Sequence, residues 1–208
     1  MPVTQDVLNR FAANGTATVY EASGREGLIN MPLTALHPGA RVAGTALPVM
    51  CGPGDNLMVH ACIEHIEPGD VVVLCVPDSE PVALIGDLLY MQIAMRGAVG
   101  ILVDAAVRDV AELKEGSVPT WTRHVRAYGA TKDKRGTVGQ PVTVGGATVA
   151  RGDVVVLDDD GAVVVSQARY QQVLEASDER TRKEERSREA YRSGVLSLDQ
   201  NKLRHLVE

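Results

Sequence analysis

The chain has 208 residues, long enough for one compact domain with a sizeable core, and its 45% hydrophobic content is ordinary for a globular protein. Aromatic residues supply only 3%, so Val, Ala, Leu and Ile must fill the interior. A net charge of −6 disfavours nonspecific nucleic-acid binding, which needs clustered cations to displace counterions from phosphates. In chain order, Thr4 to Ala12 reads as a short helix, with Val7, Leu8 and Phe11 on one face and Thr4 as cap. Val42 to Val49 reads as a strand, and Gly52-Pro53-Gly54-Asp55-Asn56 opens a helix running to about His65. The turn Pro68-Gly69-Asp70 feeds a buried strand, Val71 to Val76. A short strand, Val82 to Ile85, leads into a helix from Leu88 to Arg96. Gly100 to Asp104 and Val110 to Lys114 repeat the pair. This alternation predicts an α/β layer.

Beyond Pro141 the pattern changes to strands and tight turns, Val142 to Val144, Val154 to Leu157 and Ala162 to Val165. Gly145-Gly146 and Asp158-Asp159-Asp160-Gly161 read as hairpin turns. Gly69-Asp70-Val71-Val72-Val73-Leu74 recurs as Gly152-Asp153-Val154-Val155-Val156-Leu157, one turn-into-strand solution used twice. A last helix, about 167–191, is charged at ten of the twelve positions from Asp178 to Glu189, as a solvated helix with i,i+4 ion pairs would be. A short tail, 192–208, follows, and no domain linker is visible. Cys51, Cys62 and Cys75 form no C-x-x-C pair and read as small buried hydrophobes of a reducing compartment. With no signal-peptide pattern at Met1-Pro2-Val3-Thr4 and no apolar run of membrane-spanning length, the expected location is the cytoplasm.

The residues able to do chemistry gather where strands should end and helices begin. Asp87, in Gly86-Asp87-Leu88-Leu89, is separated by twenty intervening residues from the adjacent pair Arg108-Asp109. A glycine after a strand lets the backbone turn, and the first helical N–H groups then point outward unpaired, a start that attracts carboxylates and phosphates. Each piece also has a plain structural use. Asp87 can be an N-cap, Asp109 with Glu112 fits a capping box, and Arg108 can be a loop cation. Asn56 and His60, four apart at a third helix start, share a face, where a satisfied polar histidine is the commoner outcome. No HExxH, CxxC, GxGxxG, Walker or GxSxG pattern is present.

Taken together in order, Gly54-Asp55-Asn56…His60, Gly86-Asp87-Leu88-Leu89 and Arg108-Asp109-Val110-Ala111-Glu112 resemble the 4-hydroxy-4-methyl-2-oxoglutarate / 4-carboxy-4-hydroxy-2-oxoadipate aldolases. Thr18-Val19-Tyr20-Glu21-Ala22, Pro119-Thr120-Trp121-Thr122-Arg123 and Gly152-Asp153-Val154…Asp158-Asp159-Asp160-Gly161 extend the likeness from about Thr16 to Tyr191. The resemblance implies an α/β/β sandwich of the ribonuclease E regulator-like (swivelling-type) fold, as a homotrimer or homohexamer with sites at subunit interfaces. It implies a class II pyruvate aldolase with a small-molecule 2-oxo acid substrate, no nucleic acid and no membrane as partner, and an oxaloacetate decarboxylase side activity. The implied cofactor is Mg²⁺, Mn²⁺ or another divalent cation.

In that family the Asp matched by Asp109 binds the metal directly, and the Arg matched by Arg108 hydrogen-bonds the keto oxygen. Asp87 matches the base, acting through a water on the cation. Gly86 and the N–H groups of Leu88 and Leu89 match the cradle of the pyruvyl carboxylate, and Asn56 and His60 match substrate-contacting positions. Glu184, on the charged helix, would reach a neighbouring subunit's site, with Glu185 equally placed. Residues 80–85 and 196–202 depart from the family pattern, which leaves substrate identity less supported than the enolate chemistry. Non-catalytic relatives that bind and inhibit ribonuclease E share the fold and generally lack the full signature, so a regulator, or a relative using the same chemistry on another acid, is the alternative.

Overall fold

A strand buried at every position must lie in the middle of a sheet covered on both faces. β3 (Asp70–Cys75) is that strand in the computed structural model, which describes residues 3–77 and 81–207. β2 (Val42–Met50) and β5 (Gly100–Val107) flank it, both parallel. Beyond β5 come β6 (Thr120–Val125), parallel, and β1 (Thr34–Ala35), antiparallel. Beyond β2 come the antiparallel strands β10 (Val154–Asp158) and β11 (Gly161–Val165), joined by the expected tight turn. Two short strands pair at the ends of the long ones: β4 (Ala83–Ile85) with β5, and β7 (Thr137–Val138) with β2. β8 (Val142–Val144) and β9 (Ala147–Val149) form a separate hairpin.

Side chains alternate across a strand, and the core divides accordingly. Val72 and Leu74 of β3 join Ile101 and Val103 of β5 beneath α2 (Leu57–Cys62), α3 (Asp87–Met95) and α4 (Val110–Glu115). Val71 and Val73 join Leu102 and Trp121 on the other face, which the β8–β9 hairpin closes with Val142, Val144 and Val149. The layers are therefore helix, sheet and second β layer, the expected α/β/β sandwich. α1 (Gln5–Ala22) and α5 (Tyr170–Arg192) cover β10 and β11 with Phe11, Val19, Tyr170 and Leu174.

The differences from the sequence-based expectations have local causes. α1 does not stop at Ala12. It continues across a kink at Gly15, whose φ of 77° suits glycine. The second half is restarted by buried Asp158, which accepts from the Thr16 N–H at 2.9 Å and from the Thr16 hydroxyl. β5 runs on to Val107 because Asp104, which reads as a strand end, is met within the sheet by Arg123 at 2.9 Å. β6 was not anticipated, since Arg123 and His124 mask the apolar core position Trp121, whose indole N–H donates to the Asp158 carbonyl at 2.8 Å. The three cysteines are buried and unbridged, and burial pushes each thiol up to about 12, so none is a ready nucleophile. No helix of the described residues is long and apolar enough to cross a membrane.

Tyr90 ties α3 to the loop before β6: its hydroxyl donates to the Val118 carbonyl at 3.1 Å and accepts from the Val118 N–H at 2.7 Å. Tyr90→Phe strands the buried Val118 N–H, while the Val118 carbonyl keeps the Thr120 hydroxyl at 3.2 Å, and is expected to cost about 1–3 kcal/mol in urea unfolding. An unchanged midpoint would contradict this role.

Candidate functional site

The pairing of β4 with the end of β5 is what assembles the site. Ala83 lies opposite Ala106 and Ile85 opposite Val107, both strands running the same way, so Gly86-Asp87 and Arg108-Asp109 leave the sheet side by side. Asp109 takes a left-handed backbone, φ 55° and ψ 44°, a conformation that Asp tolerates better than most residues. Its side chain does not cap α4, so the capping-box use of Asp109 and Glu112 is not realised. Instead Asp109 Oδ2 accepts from the Asp87 N–H at 3.2 Å and lies 3.6 Å from Arg108 Nε. The N-cap of α3 is Gly86, with Asp87 as its first residue and exposed.

Gly86 is required for space rather than for its backbone angles. A Cβ there would lie 2.2 Å from Asp109 Oδ2 and 3.1 Å from Arg108 Cγ and Nε. At the start of α3 the Tyr90 N–H donates to the Gly86 carbonyl at 3.0 Å, so the Leu88 and Leu89 N–H groups precede the first intrahelical acceptor. They are available to an anion.

A cleft of about 200 Å³ opens at this point. It gathers Asn56, His60, Gly86, Asp87, Leu88, Leu89 and Arg108, seven of the positions singled out from sequence. Asp109 lines an adjoining cleft with Val110, Val125 and Arg126, and Arg108 lines both. Glu184 is elsewhere within the chain: it pairs with Arg180 at 3.0 Å and Arg188 at 3.6 Å and lines a third cleft with Arg41 and Asp158. Glu80, in the divergent approach to β4, lies outside the described residues.

Sequence reasoning missed the opposite wall, formed by Gly129, Ala130 and Lys132. These belong to a segment, residues 126–136, laid across the cleft between β6 and β7. A Cβ on Gly129 would lie 3.0 Å from Arg108 Nη1, so the segment packs onto the guanidinium. The signal was the cluster Lys132, Lys134 and Arg135, which no sequence pattern connects to the helix starts. Asp55 was also missed as a contributor. Fully buried, it accepts from the N–H groups of Leu57, Asp133 and Lys134 and from the Thr131 hydroxyl. Burial alone would raise its pKa, but these four donors hold it well below the usual carboxylate range. Asn56 is buried with its amide N–H on the Leu84 carbonyl at 2.9 Å, and its Oδ1 has no partner among the described residues.

Among the described residues no three His, Cys, Asp or Glu side chains are set to enclose an ion. The donors present nevertheless fit a hard cation of the Mg²⁺ kind, which keeps several waters and needs few protein carboxylates. Both protein contacts of the Asp109 carboxylate fall on Oδ2, which leaves Oδ1 without one among the described residues.

This chain belongs to the Aldolase/RraA (RraA-like) family, whose signature matches residues 16–164. Within it, a provisionally named 4-hydroxy-4-methyl-2-oxoglutarate aldolase of Halalkalibacterium halodurans is 27% identical over 93% of this chain and 92% of its own. A relative of the same provisional name from Burkholderia multivorans is 33% identical over 74% of this chain and 95% of its own. Among solved structures, an uncharacterized protein from Pseudomonas syringae pv. tomato superposes with a TM-score of 0.86 at 26% identity, covering 98% of this chain and 95% of that one. Streptomyces coelicolor RraAS2, described as an unusual member of the RNase ES inhibitor RraA protein family, superposes at 0.79 with 28% identity, covering 90% and 98%.

His60, exposed at the rim, has a pKa below its ordinary value. Partial burial is the largest cause, the Lys132 charge adds to it, and Asp55 opposes both. A depressed histidine pKa favours the neutral ring. The corresponding stabilisation is present above the unfolded-state pKa, about 6.5, and is lost as pH falls through the folded one. NMR titration is expected to place His60 below about 6.5 and to show the value rising in Lys132→Ala. A His60 titration indifferent to that substitution would mean that the two side chains do not face each other.

Proposed function

We propose that the chain is a divalent-metal-dependent aldolase. It cleaves a 4-hydroxy-2-oxo di- or tricarboxylic acid, of the 4-hydroxy-4-methyl-2-oxoglutarate or 4-carboxy-4-hydroxy-2-oxoadipate type, to pyruvate plus pyruvate or oxaloacetate. The observation that carries this reading is the convergence of Arg108, Asp87 and the unpaired N–H groups of Leu88 and Leu89 on one cleft, with Asp109 hydrogen-bonded at its lip. The aldolase names of the two relatives support it.

In this reading the Leu88 and Leu89 N–H groups receive the pyruvyl carboxylate at the positive end of α3. The Arg108 guanidinium donates to the 2-keto oxygen. Breaking the C3–C4 bond moves an electron pair onto the pyruvyl half, and the charge collects on that oxygen, so a donor already aimed there stabilises the transition state more than the ground state. Asp87 takes the C4 hydroxyl proton through a bridging water as that carbon becomes a ketone. Asn56, His60 and Lys132 face the far half of the acid. A cation such as Mg²⁺ or Mn²⁺, held by Asp109, would supply Lewis-acid charge beside the same keto oxygen. Decarboxylation of oxaloacetate leaves the same pyruvate enolate, so it belongs to the proposal as a side activity.

We also infer a homotrimer or homohexamer. The support is that α3 exposes Leu88, Met91 and Met95 at 66%, 50% and 79% beside a cleft that is itself open. A second copy seated there would cover apolar surface and is the way Glu184 could serve a site. The likeness to RraAS2 favours one other reading, a regulator that binds a ribonuclease. Stoichiometric ribonuclease capture without turnover of any 2-oxo acid would put that reading first.

The test is pyruvate release from both acids and from oxaloacetate, with Mg²⁺ or Mn²⁺ and then with EDTA. Turnover is expected with metal and to be lost on chelation; undiminished turnover in EDTA would remove the metal from the account. Arg108→Ala is expected to lower kcat by about 10²–10³-fold with circular dichroism unchanged. Gly86→Ala should lower activity comparably by displacing the Asp109 carboxylate. Near-normal rates in either variant would contradict the assignment.

A further inference from the structure

We propose that Asp55 is a positioning residue that sets the substrate-distal half of the cleft, holding Lys132 on one wall against Asn56 and His60 on the other. The proposal rests on the aldolase reading above and assigns it a second, separable half. The pyruvyl half is built from the ends of β4 and β5, where the sheet itself holds Asp87, Arg108 and Asp109. The distal half has no such frame. Its one wall is the start of a six-residue helix, and its other is the segment 126–136, which joins the rest through isolated bridges, Asp55 to Thr131 and Ala83 to Gly129.

One buried carboxylate joins these walls. Asp55 accepts from the Leu57 N–H at 2.7 Å, fixing the start of α2. It also accepts from the Thr131 hydroxyl at 2.7 Å, the Asp133 N–H at 2.7 Å and the Lys134 N–H at 3.1 Å. Those three donors straddle Lys132, so its backbone is clamped on both sides while its ammonium makes no ion pair among the described residues. The backbone reinforces the clamp: Asn56 N–H donates to the Thr131 carbonyl and Thr131 N–H to the Gly54 carbonyl, each at 3.0 Å. Burying a carboxylate is unfavourable unless its oxygens are fully supplied with donors, and here the donors come from two chain segments far apart in sequence. The charge is satisfied only when both walls are in place. Such a device preorganises a cation for an anionic group arriving at a fixed distance from the pyruvyl end. The chemical class it reads is a carboxylate on the second product.

The consequence is a split between binding the whole acid and forming the enolate. Methyl hydrogen–deuterium exchange of pyruvate uses only the pyruvyl half, whereas cleavage of 4-hydroxy-4-methyl-2-oxoglutarate uses both. Asp55→Asn is expected to raise KM for cleavage about tenfold, change kcat far less, and leave pyruvate exchange within about twofold of wild type. Lys132→Ala should show the same split, and the double variant should be no worse than the poorer single one, because the loss of Asp55 already includes the loss of Lys132's position. Should Asp55→Asn fold poorly, Thr131→Val removes the hydroxyl, whose shortest bond is to Asp55 at 2.7 Å and which also lies 3.0 Å from Asp133 Oδ1, and Thr131→Ser restores it. The same split, with rescue by serine, is then expected. Exchange falling in step with cleavage, or multiplicative defects of Asp55→Asn and Lys132→Ala, would overturn the proposal and leave the aldolase reading standing. A wild-type protein that neither cleaves the acid nor exchanges pyruvate would overturn both.

Discussion

Everything at the site follows from two strands of unequal length ending together. β4 has three residues and β5 eight, yet Ile85 sits opposite Val107 in parallel pairing. Parallel strands point the same way, so the chain leaves both at one edge, and each exit delivers a helix start. One exit presents unpaired N–H groups. The other presents a guanidinium and a carboxylate on adjacent residues. The left-handed backbone of Asp109 turns its side chain away from α4 and toward the Asp87 N–H, which locks the two exits at 3.2 Å. A bulkier residue at Gly86 would occupy the space that this contact needs.

Charge placement explains how an acidic protein could attract an acidic ligand. With a formal net charge of −6, the overall field repels anions. Near the cleft the balance reverses, through Arg108 and Lys132 lining it, Arg126 beside Asp109, and the amide dipoles at the start of α3. The low pKa of Asp55 fits the same pattern, since its charge is spent on backbone and hydroxyl donors within the wall and it lies fully buried. The neutral tendency of His60 leaves the cationic role on that side to Lys132.

The fold was legible in the sequence wherever hydrophobic periodicity and turn residues agreed. β2, β3, α3 and the hairpins of the last third lie within a residue or two of their expected bounds, while α2 ends at Cys62 and only a 3₁₀ turn continues to His65. It was not legible where a polar side chain finds its partner across the sheet. Asp104 reads as a terminator until Arg123 is seen beside it, and the first helix reads as ending at Ala12 until Asp158 is seen to restart it beyond Gly15. The half of the cleft that holds Asp87 and Arg108 was legible as a place, because both sit where strands end, with a fixed spacing between them. The distal half was not, because Lys132 belongs to a segment without secondary structure whose position depends on a buried carboxylate many residues earlier. Asp109 lies beside the residues of the cleft, and the contact that orients it, to the Asp87 N–H, has no sequence pattern.

The central claim is that Arg108 and a cation on Asp109 flank the oxygen that becomes negative when the carbon–carbon bond breaks. Oxalate is a planar, stable mimic of the pyruvate enolate, and Mn²⁺ is readily located by anomalous scattering. A crystal structure of the protein with both is the most direct measurement. The account predicts Mn²⁺ on the Asp109 carboxylate, with oxalate hydrogen-bonded to the Arg108 guanidinium and to the N–H groups of Leu88 and Leu89. Mn²⁺ bound away from Asp109, or oxalate seated out of reach of Arg108, would contradict it.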